Sequence, residues 1–249
     1  MKTTFINKNM KKYIFLNWKC YPLNWKGVLN LMSPLKQSAF LSKHQVVVCA
    51  PFVFLEKIKK DFKIETCGQN CFWVSGVGPY TGEISPLMLK GVGCGYVLVG
   101  HSERRRFFNE TDKIIAEKLK AALMANLKPL LFFGETKKDS DKEITAGLDL
   151  VLKSIDKKNL KKILFVYEPA FSISTQGGKL LSMTRIKEKL VLIKDFLKKK
   201  YALSAPCIIY GGSVNEVNLK QYLNQKEING VVIGQASLNP AKIKEALKI

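Results

Sequence analysis

The sequence predicts an α/β fold closed into a single (β/α)8 barrel, and three observations lead there. Short runs rich in Val, Ile, Leu and Phe recur eight times along 249 residues. Helix-like segments lie between most of them. The runs are continuously apolar rather than alternating, which fits parallel strands buried on both faces. Repeated strand–helix alternation implies right-handed βαβ units, and roughly 250 residues is an ordinary size for a closed parallel barrel. An open doubly wound sheet shares the alternation; the count of eight at this length favours the barrel.

Taken in order, strands are expected at 13–16, 46–49, 64–67, 96–99, 129–133, 163–167, 207–210 and 231–233. Helices are expected at 113–126, 184–201 and 216–223. The first of these carries Ile114, Ile115, Leu119, Ala122 and Leu123 at helical spacing. Asn239 followed by Pro240 reads as the N-cap and first residue of a last helix. No linker or low-complexity tract interrupts the pattern, so residues 1–249 read as one domain. The opening MKTTFINKNM is polar and precedes the first strand. Residues 1–9 are expected to be a loose extension, with Met10 as a second natural start; an ordinary short tail is the other reading.

Composition narrows the class. Hydrophobic residues make up 47%, enough for a sizeable core. Lys and Arg number 41 against 20 acids, a net charge of +21. Such a balance suits a nucleic-acid or anionic-membrane surface, or a lysine-rich solvated face that attracts a small anion. The lysines fall as short runs (Lys57, Lys59, Lys60; Lys157, Lys158, Lys161, Lys162; Lys198, Lys199, Lys200) along the whole chain. They are not interleaved with aromatics, and no nucleic-acid motif accompanies them, which favours the solvated face and nonspecific attraction only. Cysteines stand at 20, 49, 67, 71, 94 and 207 without metal-ligand spacing. With no signal peptide and no apolar stretch of membrane length, the expectation is free thiols in the cytoplasm and no membrane partner.

In a parallel barrel the chemistry lies at the carboxyl ends of the strands. After the first apolar run comes Asn17-Trp18-Lys19, and after the fourth His101-Ser102-Glu103. Glu168-Pro169 follows the sixth, Gly211-Gly212-Ser213 the seventh, and Gly234-Gln235-Ala236-Ser237 the eighth. Each alone has a plain structural reading: a hydrogen-bonding histidine, a strand-ending Glu-Pro, a helix cap. Their joint placement is what points to a site. The glycine turns let backbone N–H groups approach an anion, and the helix expected after Ser213 adds its positive end. The implied ligand is a small phosphate ester.

These residues resemble the triosephosphate isomerase family over nearly the whole chain. The resemblance rests on NWK at 17–19, GQN at 68–70, YTGEIS at 80–85 and VGHSERRRFFNETD at 99–112, followed by YEP at 167–169, YGGSV at 210–214 and IGQASL at 233–238. It implies a TIM barrel that works as a homodimer without cofactor or metal, and that interconverts dihydroxyacetone phosphate and glyceraldehyde 3-phosphate in glycolysis and gluconeogenesis. By the same resemblance Glu168 is the base, His101 a neutral electrophile, Lys19 a fixed cation and Asn17 a neutral donor. Ser174, Gly212, Ser213, Gly234 and Gln235 match the phosphate grip. Glu103 matches the acid that contacts the lysine, and Tyr210 a supporting tyrosine. Thr81, Tyr21 and Arg105 match interface positions, and the segment after Glu168 matches a closing lid.

The chain also departs from the family's pattern. Phe171 replaces a lid tryptophan, Ser174 a phosphate-binding glycine, and Gln176-Gly177 resembles an insertion. Gln235 stands for a second glycine, Cys20-Tyr21-Pro22 for Met-Asn-Gly, and Phe132 for a cysteine. These changes bear on affinity, lid closure and dimer contacts. The alternative to the enzyme is an inactive or dual-purpose basic barrel that binds nucleic acid.

Overall fold

The computed structural model of the chain describes residues 11–36, 40–135, 140–170 and 180–248. Eight parallel strands close on themselves in sequence order. They are β1 (Tyr13–Asn17), β2 (Gln45–Cys49), β3 (Glu65–Gly68), β4 (Tyr96–Val99), β5 (Lys128–Phe133), β6 (Leu164–Tyr167), β7 (Cys207–Tyr210) and β8 (Gly230–Ile233). Every strand lies within one residue of its expected bounds. Closure comes from β1 pairing with β8, Tyr13 opposite Gly230. A side chain at residue 230 has no room, because its Cβ would stand 2.3 Å from the Tyr13 carbonyl oxygen.

The core has two layers. Phe15, Val47, Cys49, Leu130, Phe132, Val166 and Ile209 fill the barrel's interior. Their strand neighbours Ile14, Leu16, Val46, Val48, Leu131, Phe165 and Ile208 face the surrounding helices. Successive strand side chains point to opposite faces, so two buried faces require both alternating sets to be apolar. That is why the runs read as continuous. The outer layer is completed by helical residues such as Leu119, Leu148, Ile193 and Leu197.

Two expected helices form nearly as read. One is Asp112–Met124, capped by Thr111, and the other Met183–Tyr201, capped by Ser182. The last helix, Pro240–Ala246, starts with the Asn239 side chain accepting from the Ala241 and Lys242 amides. The helix expected at 216–223 needs correction: only Leu219–Leu223 is helical. The Asn215 side chain accepts from the Val217 and Asn218 amides, and Asn218 accepts from the Asn215 amide. These local bonds hold the segment after Ser213 as turns and compete with helix formation. The helix end is therefore not at Ser213, and the turn offers its own backbone instead.

All six cysteines are free thiols, and Cys49, Cys67, Cys71 and Cys94 are buried. Among the described residues there is no group of three or more His, Cys, Asp or Glu placed to hold a metal. No described helix is long and apolar enough to cross a membrane. Residues 1–9, and the lid segment with Phe171, Ser174 and Gln176-Gly177, lie outside the described residues.

Candidate active site

Asn17 ends β1 and is buried. Two residues on, Lys19 takes a left-handed backbone, φ +52°. Such a conformation costs a non-glycine residue on the order of 1–3 kcal/mol and needs support from its surroundings. The support is visible. The Lys19 amide donates to Asn17 Oδ1 at 3.0 Å. Gln69, just past β3, donates its side-chain amide to the Lys19 carbonyl at 2.7 Å and the Cys49 carbonyl at 2.9 Å. The Lys19 ammonium pairs with Glu103. A cation is thereby held over the barrel mouth.

His101 is the N-cap of the helix Ser102–Phe108. Its Nδ1 accepts from the Glu103 amide at 3.2 Å. With Nδ1 occupied as an acceptor, the ring's single proton sits on Nε2. That nitrogen is 3.3 Å from Glu168 Oε1 and 3.4 Å from Asn17 Nδ2. Two neutral donors and a carboxylate thus converge on one point. Phe132 packs behind the imidazole with ring centres 4.9 Å apart.

Glu168 follows β6 directly and is 6% exposed. Its Oε2 accepts from the Ser102 amide at 2.9 Å, and its own amide donates to the Phe133 carbonyl at 2.8 Å. Gly134 lies against it; a Cβ there would come within 1.9 Å of the Glu168 carbonyl oxygen. Tyr167 is wholly buried, and its hydroxyl donates to Glu135 at 2.6 Å. Burial, and then this bond to an acid, push its pKa upward.

The far wall is made by β7 and β8. Gly211, Gly212, Ser213, Gly234 and Gln235 line the same pocket as Asn17, Lys19, His101 and Glu168. A one-turn 3₁₀ helix, Gln235–Leu238, begins at the pocket. The Ser237 hydroxyl donates to the Asn17 carbonyl at 3.2 Å, tying this turn to β1. Tyr210 stands behind the β7 turn, buried, with its ring centre 4.6 Å from that of Tyr222.

Eight of the site residues named from sequence line this one pocket, namely Asn17, Lys19, His101, Glu168, Gly212, Ser213, Gly234 and Gln235, and Ser174 lies outside the described residues. Glu103 touches Lys19 as expected of its position. Thr81 and Tyr21 are exposed, and neither lines the pocket. Arg105 pairs with Asp112 at 2.7 Å and donates to the Gly100 carbonyl at 3.2 Å, bracing the end of β4. Gln69, the Ser102 amide, Ser237 and Glu135 had been given no role. Gln69, Ser102 and Ser237 stood in quoted motifs without a role of their own; Glu135 had no signal, because its partners Tyr167, Ala170 and Lys189 are distant in sequence.

Fold and site together define a parallel-barrel protein whose strand ends gather an imidazole, a carboxylate, an ammonium group and two glycine turns around one pocket. A family model described as Triosephosphate isomerase matches residues 12–249. The chain is 36% identical to a triosephosphate isomerase of Dictyoglomus thermophilum, across 96% of this chain and 99% of that protein. It is 40% identical to one from Trichodesmium erythraeum, across 93% and 96% respectively. A third, from Buchnera aphidicola, is 35% identical across 96% and 97%. The chain belongs to the triosephosphate isomerase family.

Proposed function

We propose that this chain interconverts dihydroxyacetone phosphate and D-glyceraldehyde 3-phosphate by proton transfer through an enediolate. The observation that carries the reading is the meeting of Glu168 Oε1 and His101 Nε2, 3.3 Å apart, in a pocket walled by glycine turns. Moving a carbonyl to the adjacent carbon requires a proton taken from one carbon and returned to the next. One carboxylate reaching both carbons does this, and Glu168 is that group. Oε2 accepts from the Ser102 amide and Oε1 faces the protonated His101 Nε2, so the carboxylate leaves this arrangement to take a proton from a substrate carbon.

The enediolate gathers negative charge on its oxygens. His101 Nε2–H and Asn17 Nδ2 are placed to donate to it, and Lys19 supplies fixed positive charge. A neutral histidine beside a helix N-terminus is the arrangement known for triosephosphate isomerases generally. The Glu103 amide on Nδ1 supports that tautomer here. Backbone N–H groups of the β7 and β8 turns, with Ser213, Gly212, Gly234 and Gln235, hold the phosphate; Ser174 matches a further phosphate position of the family and lies outside the described residues.

The reaction places the chain in glycolysis and gluconeogenesis in the cytoplasm. Thr81, Tyr21 and Arg105, which match interface positions of the family, support a homodimer, as do the exposed apolar side chains Trp73, Val77 and Tyr80 in the segment that leads to Thr81. Sedimentation at micromolar concentration is expected to show a dimer, and a fully active monomer removes that reading. The basic-barrel alternative gains no support. Several surface lysines are spent on local acids, such as Lys57 on Asp61 and Lys200 on Asp149. The direct test is a coupled assay on the purified chain with glyceraldehyde 3-phosphate: turnover is expected, and its absence ends the proposal.

A further inference from the structure

Lys189 stands where a lysine is costly. It lies within the helix Met183–Tyr201, on the face that buries Ile186, Leu190, Ile193 and Leu197. It is 2% exposed, whereas Lys198, Lys199 and Lys200 of the same helix are exposed. An ammonium group is kept in such a place only when it is paired and hydrogen-bonded. Its partners are Glu135 Oε2 at 3.2 Å and the Asp141 carboxylate. Glu135 is itself 2% exposed, and Arg185 reaches the same oxygen at 3.5 Å from the surface.

Glu135 holds the chain on both sides of Glu168. Its Oε1 accepts from the Tyr167 hydroxyl at 2.6 Å, at the residue just before the base. Its backbone carbonyl accepts from the Ala170 amide at 3.0 Å, two residues after the base. The reaction uses neither Glu135 nor Lys189, since neither lines the pocket that holds the imidazole and the glycine turns. What the ion pair adds is a fixed address for a buried anion, and that anion is the clamp on the strand end carrying the base.

We propose that Lys189 is a positioning residue for Glu168, acting through Glu135 and Tyr167. The inference rests on the isomerase reading and deepens it. Lys189 does not touch substrate; it sets where the carboxylate hangs. A misplaced base slows proton transfer, while the phosphate grip on β7 and β8 is untouched. The expected signature is a fall in kcat with little change in KM.

The experiment measures kcat and KM for wild type, Lys189→Met, Tyr167→Phe and the double variant, each normalised to its folded fraction by circular dichroism. Lys189→Met is expected to lower kcat by about tenfold or more, with KM within about twofold. Tyr167→Phe, which cuts the same link, is expected to lower kcat in the same way. Because both act on one chain of contacts, the double variant is expected to match the worse single variant rather than the product of the two. Wild-type kcat in Lys189→Met, or losses that multiply in the double variant, overturns the proposal. If Lys189→Met does not fold, Tyr167→Phe decides: a wild-type kcat overturns it and a selective loss of kcat supports it. An inactive wild type removes the isomerase reading itself, an outcome distinct from an active wild type with an indifferent Lys189→Met.

Discussion

The chain has two histidines, and they stand at opposite ends of the barrel. His44 immediately precedes β2, at the end where strands begin; His101 follows β4, at the end where they finish. Both are at least partly covered. Their surroundings differ in kind. His101 has one nitrogen fixed by a backbone amide and the other facing a carboxylate and an amide side chain. His44 borders a broad cavity with apolar Leu35, Leu41, Phe62 and Ile64. Burial lowers its pKa, and the nearby Lys43 and Lys12 lower it further. The lesson is that a histidine is made useful by groups converging from other strands, and in this barrel they converge at the carboxyl end. That end collects strand tips followed by loops, whereas the other end only admits the chain into the sheet.

The contrast can be broken by mutation. The largest effect is expected from Glu168→Ala, which removes the base: kcat falls by about 10²–10⁴-fold in the coupled assay, with the fold kept by circular dichroism. His101→Gln comes next, with a loss of about 10²–10³-fold from the missing donor geometry. Gly134→Ala forces the Glu168 backbone to move, because the new methyl would overlap its carbonyl oxygen. We expect a cost of about 1–3 kcal/mol in denaturant unfolding together with reduced kcat. A variant that melts and turns over like wild type shows that the base tolerates displacement.

His44→Gln is expected to leave kcat unchanged, and its effect is on stability against pH. The folded-state pKa lies below the ordinary 6.5, so on acidification the unfolded chain takes up the proton first. Stability contributed by the neutral ring is complete above about pH 6.5 and declines as pH falls toward the folded-state pKa. The glutamine variant should show a flatter stability profile across that acidic window in urea titrations. An equal slope in both proteins assigns the acid sensitivity elsewhere. A loss of turnover in His44→Gln would erase the distinction between the two ends.

The strands could be read from sequence because both their faces are buried, leaving apolar runs with sharp polar ends. His101 and Glu168 could be read for the same reason, since each interrupts such a run at its tip. The helix at 216–223 was overread, because apolar spacing carries no trace of Asn215 and Asn218 capturing the amides between them. Gln69 was visible only as a member of a motif; that it braces the Lys19 backbone depends on it reaching from the end of β3 across the end of β2, at Cys49, to the turn after β1. Lys189 looked like one more lysine in a basic helix. Its burial follows from the rotation of that helix against the barrel, which places it opposite Glu135.

Linear order thus dictated the eight strands, the residues at their tips and the glycine turns that line the pocket, since hydrophobic period and chain stiffness are local properties. Folding in three dimensions dictated the rest. It forced Lys19 into a left-handed turn, put the imidazole proton on Nε2 and buried the Lys189–Glu135 pair beneath the base. Each of these is a contest between a local cost and contacts arriving from far along the chain, and only packing determines which side wins.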